Sequence, residues 1–191
     1  MIIPDFDEST HEYRVDGKRK ASVTQILDIM GLVSPFAKSD SHASRGTRIH
    51  RILELHDLDK LNHDWLDDKE IACIKYWDQF KSDFNLDWIG VETRFYNPEL
   101  DYCGTVDRIG RELIVDIKTG TIPKSAALQT AGYAMGVSDD PIGLERLAVI
   151  INPRKHKSYK LGKPMKDPGD FLEWQNIVNE FHRRMNEHGD S

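Results

Sequence analysis

Asp107, Asp116 and Lys118 have the types and spacing for metal-assisted chemistry on a phosphodiester. Asp107 ends the string Gly104-Thr105-Val106-Asp107, and nine residues later stands Asp116-Ile117-Lys118. Residues i and i+2 on a strand share a face, so Asp116 and Lys118 project together while Ile117 points into the core. With a tight turn at Gly110, Asp107 lies nearly opposite Ile114 and diagonal to Asp116. Diagonal neighbours are about 7–8 Å apart, near enough for two carboxylates to converge on one ion. Hard oxygen ligands without sulfur favour Mg²⁺ or Mn²⁺ over zinc. Phosphodiester hydrolysis needs a Lewis acid on the non-bridging oxygen, an aligned water and neutralisation of developing charge. Asp107 and Asp116 are the candidate catalytic and metal-holding acids, with the Ile117 carbonyl as a further ligand. Lys118 is placed to orient or deprotonate the water, or to neutralise charge.

Other residues extend this set. Gly46-Thr47-Arg48-Ile49-His50 precedes it, Glu92 falls on the strand before Asp107, and Gln129-Thr130-Ala131-Gly132-Tyr133 follows Lys118. Taken singly, each has an ordinary reading. His50 can be a structural histidine, and Glu92 can pair with Arg94 or Lys118 without meeting a metal. Gln129 and Tyr133, at i and i+4, share one helix face, where Tyr133 can be a half-buried core tyrosine. Gly132 between them leaves room for close approach of another backbone. Arg45 and Arg48, at i and i+3, can meet phosphate or be solvated.

Taken together, in this order, the residues resemble the PD-(D/E)xK nuclease superfamily, with Asp116 in the variable acid position. The Gly-Thr-x-x-His string and the Gln-x-x-x-Tyr pair narrow the resemblance to the RecB-like branch, which includes phage-type DNA exonucleases. Ser22-Val23-Thr24-Gln25-Ile26-Leu27 is also similar to the start of phage members. The literal Pro-Asp is absent, because Val106 precedes Asp107. The resemblance implies that His50 is an additional metal ligand and that Gln129 and Tyr133 position DNA or Lys118. It also implies that Glu92 stands near the catalytic site.

These residues need a scaffold that turns strands into helices at the right points. Trp88–Tyr96, Tyr102–Ile109 and Leu113–Lys118 read as an antiparallel meander. A helix over Lys124–Met135 and a strand over Leu147–Ile151 follow. Upstream, His11–Val15 before Asp16-Gly17 reads as a hairpin, and Ser22 or Thr24 as the cap of a short helix. Helices are expected over Ser41–His56, with Ile49, Ile52, Leu53 and His56 on one side, and over Asp67–Phe84, with Ile71, Ile74, Tyr76, Trp77 and Phe80. A last helix spans Gly169–His188, with Phe171, Leu172, Trp174, Ile177, Val178 and Phe181. The expected fold is α/β, a restriction-endonuclease-like core with a mixed central sheet in αβββαβ order, flanked by helices. It forms one nuclease domain over 1–191: hairpin and helices in 1–87, catalytic core in 88–151, basic arm and final helix in 152–191.

At 191 residues the chain suits one domain, and its net charge of −6 does not advertise a nucleic-acid binder. The distribution says more. Asn152 to Lys166 holds six basic residues and no acid, leaving −12 on the remainder. A basic strip on an acidic body suits a backbone-tracking surface, and Lys155 and Lys157, with Arg48, are candidate substrate contacts. A solvated loop is the alternative. The strip is expected to return as an exposed hairpin arm around Ser158–Leu161. The two cysteines form no metal-like cluster, and no apolar run reaches membrane-spanning length. An acidic start argues against a targeting segment, so a cytoplasmic location is expected.

The expected activity is hydrolysis of DNA, double- or single-stranded, by an Mg²⁺- or Mn²⁺-dependent exonuclease in recombination, repair or phage DNA processing. The resemblance points to a recombinase, a single-strand-binding protein or a helicase as protein partners, and to no membrane. The competing readings are a structure- or sequence-specific endonuclease, an RNA nuclease, and an inactive binding module on the same fold.

Overall fold

The computed structural model describes residues 2–33 and 40–189. The chain opens with a small antiparallel sheet: β1 (Asp5–Asp7), β2 (Glu12–Val15) and β3 (Lys18–Lys20). The expected hairpin is β2–β3. Asp16 and Gly17 at its turn have φ of 49° and 74°, the left-handed pair favoured in two-residue hairpin turns. β1, which aligns Phe6 with Tyr13, was not anticipated.

Ser22 then starts helix α1 (Val23–Ile29) with a reciprocal capping box: its side chain accepts the Gln25 N–H, and Gln25 reaches back to the Ser22 backbone. Helix α2 (Asp40–Asp57) and helix α3 (Asp68–Phe84) follow; Asp67 and Glu70 form the capping box of α3. Strands β4 (Gly90–Asn97), β5 (Tyr102–Ile109) and β6 (Leu113–Lys118) make the expected meander. Helix α4 (Ala126–Val137) crosses over to β7 (Glu145–Ile150), which pairs parallel to β6. Strand β8 (Lys160–Leu161) completes the sheet, and α5 (Gly169–Gly189) closes the chain. The order β4-β5-β6-β7-β8 is a mixed five-stranded sheet flanked by helices, the α/β arrangement expected.

Two apolar layers sandwich this sheet. On one side Ile114, Val106, Phe95 and Tyr102 meet α1, α4 and α5 through Ile26, Leu128, Ala131 and Trp174. On the other, Leu113, Val115, Ile117 and Val149 meet α2 and α3 through Ile52, Leu53, Ile74 and Trp77. The alternation along β6 is what sends Ile117 to one layer while Asp116 and Lys118 leave on the opposite face.

Four expectations need correction. Ile109, not Asp107, lies opposite Ile114, and Arg108 lies opposite Val115. The hairpin turns at Arg111-Glu112, with the Gly110 N–H donating to the Leu113 carbonyl at 2.7 Å; turning one residue later shifts the register by two, which keeps every side chain on its face. The basic segment does return as expected, as exposed β8 antiparallel to β7, but not as a projecting arm: the stretch before β8 is tied to α3 by Tyr76 to the His156 carbonyl, Ser158 to Gln79 and Tyr159 to Asp83. The apolar stripes are narrower than expected, since Ile71 and Leu172 are exposed while Cys73 is buried. Finally, the space beside Gly132 is taken: a Cβ there would lie 2.7 Å from the Trp174 ring of α5. Among the described residues no helix is long and apolar enough to cross a membrane.

Candidate active site

The site opens where β5 and β6 part. Their ladder pairs Arg108 with Val115 and Ile109 with Ile114. Beyond it the Asp107 side chain replaces a ladder carbonyl, its Oδ2 accepting the Ile117 N–H at 2.6 Å. This bond satisfies a buried donor and sets Asp107 beside the end of β6. Asp116 is buried there too, while Lys118 is partly exposed.

α2 supplies His50 to the same place. Its Nε2 lies 2.9 Å from the Ile117 carbonyl oxygen and its Nδ1 3.5 Å from Asp107 Oδ1. Gly46, one turn earlier on α2, passes beside Thr119, just after β6, at ordinary contact distance: a Cβ there would be 3.5 Å from Thr119 Oγ1. Glu92 arrives from β4 through an unusual backbone, with φ of 47°. Such a left-handed non-glycine residue costs on the order of 1–3 kcal/mol and is common at functional sites. Glu92 is skipped in the β4–β5 register, where Val91 pairs with Arg108 and Thr93 with Val106.

Lys118 Nζ donates to Asp116 Oδ1 and to Gln129 Oε1, each at 3.0 Å. Gln129 Nε2 in turn donates to the Tyr133 hydroxyl at 2.8 Å. A polar chain thus runs from Asp116 through Lys118 and Gln129 to Tyr133, both of the latter on α4 and buried. The i, i+4 spacing delivers this directly.

The electrostatics follow from burial and neighbours. Burial alone would lower the His50 pKa, but Asp107, with Glu92 and Asp116 behind it, raises it to about 9. Burial works to raise Asp107, yet His50 and the Ile117 N–H outweigh it and hold that carboxyl below its usual range. Burial pushes Asp116 up, and Lys118 only partly offsets the push. Burial and the Asp107 charge lift Glu92 to about 7.

These donors fit a divalent cation. His50, Glu92 and Asp107 each offer a ligand atom within 4.8 Å of the others. Asp116 Oδ2, buried and 2.8 Å from Lys118 Nζ, has no aligned hydrogen-bond donor among the described residues, which leaves a lone pair for an ion. His50 Nε2 and the Ile117 carbonyl, now hydrogen-bonded to each other at 2.9 Å, are two further donors that would face such an ion. The donors are nitrogen and oxygen without sulfur, a set open to several divalent ions.

His50, Glu92, Asp107, Asp116, Ile117, Lys118, Gln129 and Tyr133 are therefore brought together. Arg48, Lys155 and Lys157 lie outside this cluster. Arg48 makes a two-point ion pair with Glu70 of α3 and lines a cleft of about 60 Å³ with Arg154, Thr119 and Asn152. Lys155 and Lys157 are exposed on the segment leaving β7, at the sheet end that holds Lys118. The sequence reading missed Arg108 and Asp57, both with fully buried side chains, whose ion pair at 2.7 Å lies directly behind Asp107 and Glu92. An arginine directly after Asp107 in the middle of a strand was the available signal.

No family model matches the chain, and no curated protein matches it. Among solved structures, an alkaline exonuclease from Laribacter hongkongensis, LHK-Exo, aligns with 88% of this chain and 89% of its own at 8% identity and a TM-score of 0.42. A structure of LHK-Exo in complex with dAMP gives 9% identity with the same coverage and TM-score.

Proposed function

We propose that this chain is an Mg²⁺- or Mn²⁺-dependent nuclease that hydrolyses DNA, acting as an exonuclease. The observation that carries this reading is the convergence of His50, Glu92 and Asp107 within 4.8 Å of one another, with His50 also at the Ile117 carbonyl and the Asp116–Lys118 pair on the neighbouring strand. Two strands, one helix and a strained β4 residue supply these groups, which chance surface acidity does not produce.

His50, Asp107, Asp116 and the Ile117 carbonyl hold the metal, with Glu92 facing the same space. When bound, the ion supplies Lewis acidity toward the phosphate and lowers the pKa of a coordinated water. Of the three Lys118 N–H donors, Asp116 and Gln129 take two; the third is left to orient the attacking water or to meet a phosphate oxygen. Hydrolysis places the water oxygen on phosphorus, breaks the bond to the leaving sugar oxygen, and passes a proton to that oxygen. Lys118 offsets the negative charge that grows on phosphorus during this exchange. Gln129 and Tyr133 hold Lys118 in line. Lys155 and Lys157 extend the positive surface along which a backbone can lie.

Cleavage of end-labelled linear DNA against covalently closed circular DNA, with Mg²⁺, Mn²⁺ or EDTA, tests the reading. Metal-dependent loss of linear DNA alone is expected. Nicking of the circle makes the protein an endonuclease, and inertness on every DNA and RNA substrate makes it a binding module.

A further inference from the structure

We propose that Asp57 and Arg108 form a positioning pair that sets Glu92 and Asp107 for metal binding, an inference that rests on the function proposed above. The Arg108 side chain is wholly buried. Its Nε donates to Asp57 Oδ2 at 2.7 Å, and its Nη1 to the Asp107 carbonyl at 2.6 Å and to Glu92 Oε1 at 3.2 Å. One guanidinium therefore touches the backbone of one candidate ligand and the carboxylate of another.

Asp57 is anchored in turn. It ends α2, the helix carrying His50, and accepts Trp77 Nε1 at 2.9 Å and Lys81 Nζ at 2.8 Å from α3. The Arg108 guanidinium also sits over the Trp77 ring, 5.4 Å from its centroid. Four elements, α2, α3, β4 and β5, meet at this pair. His50 and Asp57 fix α2 at two points seven residues apart, roughly 10 Å along the helix, and adjacent β5 residues receive both.

Two features argue against a pair that only staples the fold. Among the described residues Arg108 Nη2 is buried without a hydrogen-bond partner, an arrangement that a stabilising role alone disfavours, because an unsatisfied buried donor offsets what the ion pair contributes. Glu92 keeps its left-handed backbone with Arg108 as its side-chain anchor. The strain turns the carboxylate toward His50 and Asp107, and Arg108 holds it there.

The test is direct Mn²⁺ binding, by calorimetry and by electron paramagnetic resonance, well below the melting temperature. Arg108→Lys and Asp57→Asn keep side-chain size while altering the fork geometry or the charge. Each is expected to weaken Mn²⁺ binding roughly 10–100-fold, the effect typical of groups that orient metal ligands, and to lower kcat more than it changes KM. Arg146→Lys is the control: Arg146–Asp170 is also a largely buried pair at 2.8 Å, remote in sequence from the ligands. It should lower the melting temperature and leave the Mn²⁺ affinity alone. If Arg108 acts through Glu92, Arg108→Lys costs less in a Glu92→Gln background than in the wild type.

Unchanged Mn²⁺ affinity in folded Arg108→Lys and Asp57→Asn overturns the inference. So does full additivity with Glu92→Gln, a readout that remains if Asp57→Asn fails to fold. Wild-type protein that binds no Mn²⁺ sinks the nuclease reading itself, a different result.

Discussion

Asp107 Oδ2 accepts the backbone N–H of Ile117 at 2.6 Å, so one acid both closes a gap between two strands and faces the candidate metal position. These roles separate by substitution. Asp107→Asn retains an acceptor for Ile117 and loses the anionic ligand, whereas Asp107→Ala leaves the buried N–H unpaired. We expect both variants to be inactive, with the alanine variant less stable by a further ~1–3 kcal/mol. Urea denaturation beside a cleavage assay measures both effects, and equal stabilities refute the structural role.

The protonation of His50 and Glu92 predicts opposite pH trends for the metal-free and metal-loaded protein. His50 is raised from 6.5 to about 9, so its contribution to stability is complete below 6.5 and fades as pH rises through 9. Glu92, raised from 4.5 to about 7, contributes while protonated and fades through 7. Without metal, stability should therefore fall from about pH 5 to pH 9. Metal competes with these protons, so the stabilisation added by Mn²⁺ should grow over the same range. Thermal melts at pH 5, 7 and 9 with EDTA or Mn²⁺ would show a constant difference if the two groups did not face the ion.

The chain Lys118–Gln129–Tyr133 predicts a graded series. Lys118→Ala removes the charge at the reacting centre and should lower kcat by about 10²–10⁴-fold. Gln129→Ala frees Lys118 from one of its two partners and should cost less. Tyr133→Phe, one bond further away, should cost least. Single-turnover rates order the three, and a Tyr133→Phe loss as large as that of Lys118→Ala contradicts the relay of positions.

Lys155 and Lys157 predict a salt effect. Replacing both with glutamine removes two candidate phosphate contacts. The slope of log K against log salt for duplex DNA should then flatten by about 2, measured by fluorescence anisotropy in Ca²⁺ to hold back cleavage. An unaltered slope returns the segment to ordinary solvated surface.

Gly136 on α4 predicts a steric cost. An added Cβ would fall 2.0 Å from the Phe95 ring, a clash worth about 1–3 kcal/mol, against about 1 kcal/mol returned by the better helix propensity of alanine. Gly136→Ala should therefore melt a few degrees lower; a higher melting temperature means that Phe95 moves aside freely.

Much of the scaffold could be read in advance because its signals are local. Tyr102–Ile109 and Leu113–Lys118 match β5 and β6 residue for residue, since short runs with apolar and β-branched residues are bounded by turn-forming ones. Ser22, whose hydroxyl caps α1, was visible for the same reason. Less was visible where packing decides. α4 starts at Ala126 and ends at Val137, later than its sequence suggested, after a turn in which the Ala126 N–H reaches the Pro123 carbonyl. The space expected beside Gly132 is filled by Trp174, from a helix that begins 37 residues later.

By itself the sequence determined the identities and order of Gly46 to His50, Asp107, Asp116, Lys118, Gln129 and Tyr133, and the strand and helix periods that put them on common faces. Those are properties of near neighbours, set by backbone geometry. Tertiary structure alone decided that the hairpin turns at Arg111-Glu112, that Glu92 adopts a left-handed backbone and that Arg108 finds Asp57 51 residues away. Each depends on contacts between distant segments and on the exclusion of water around buried charge. Only the assembled core supplies these.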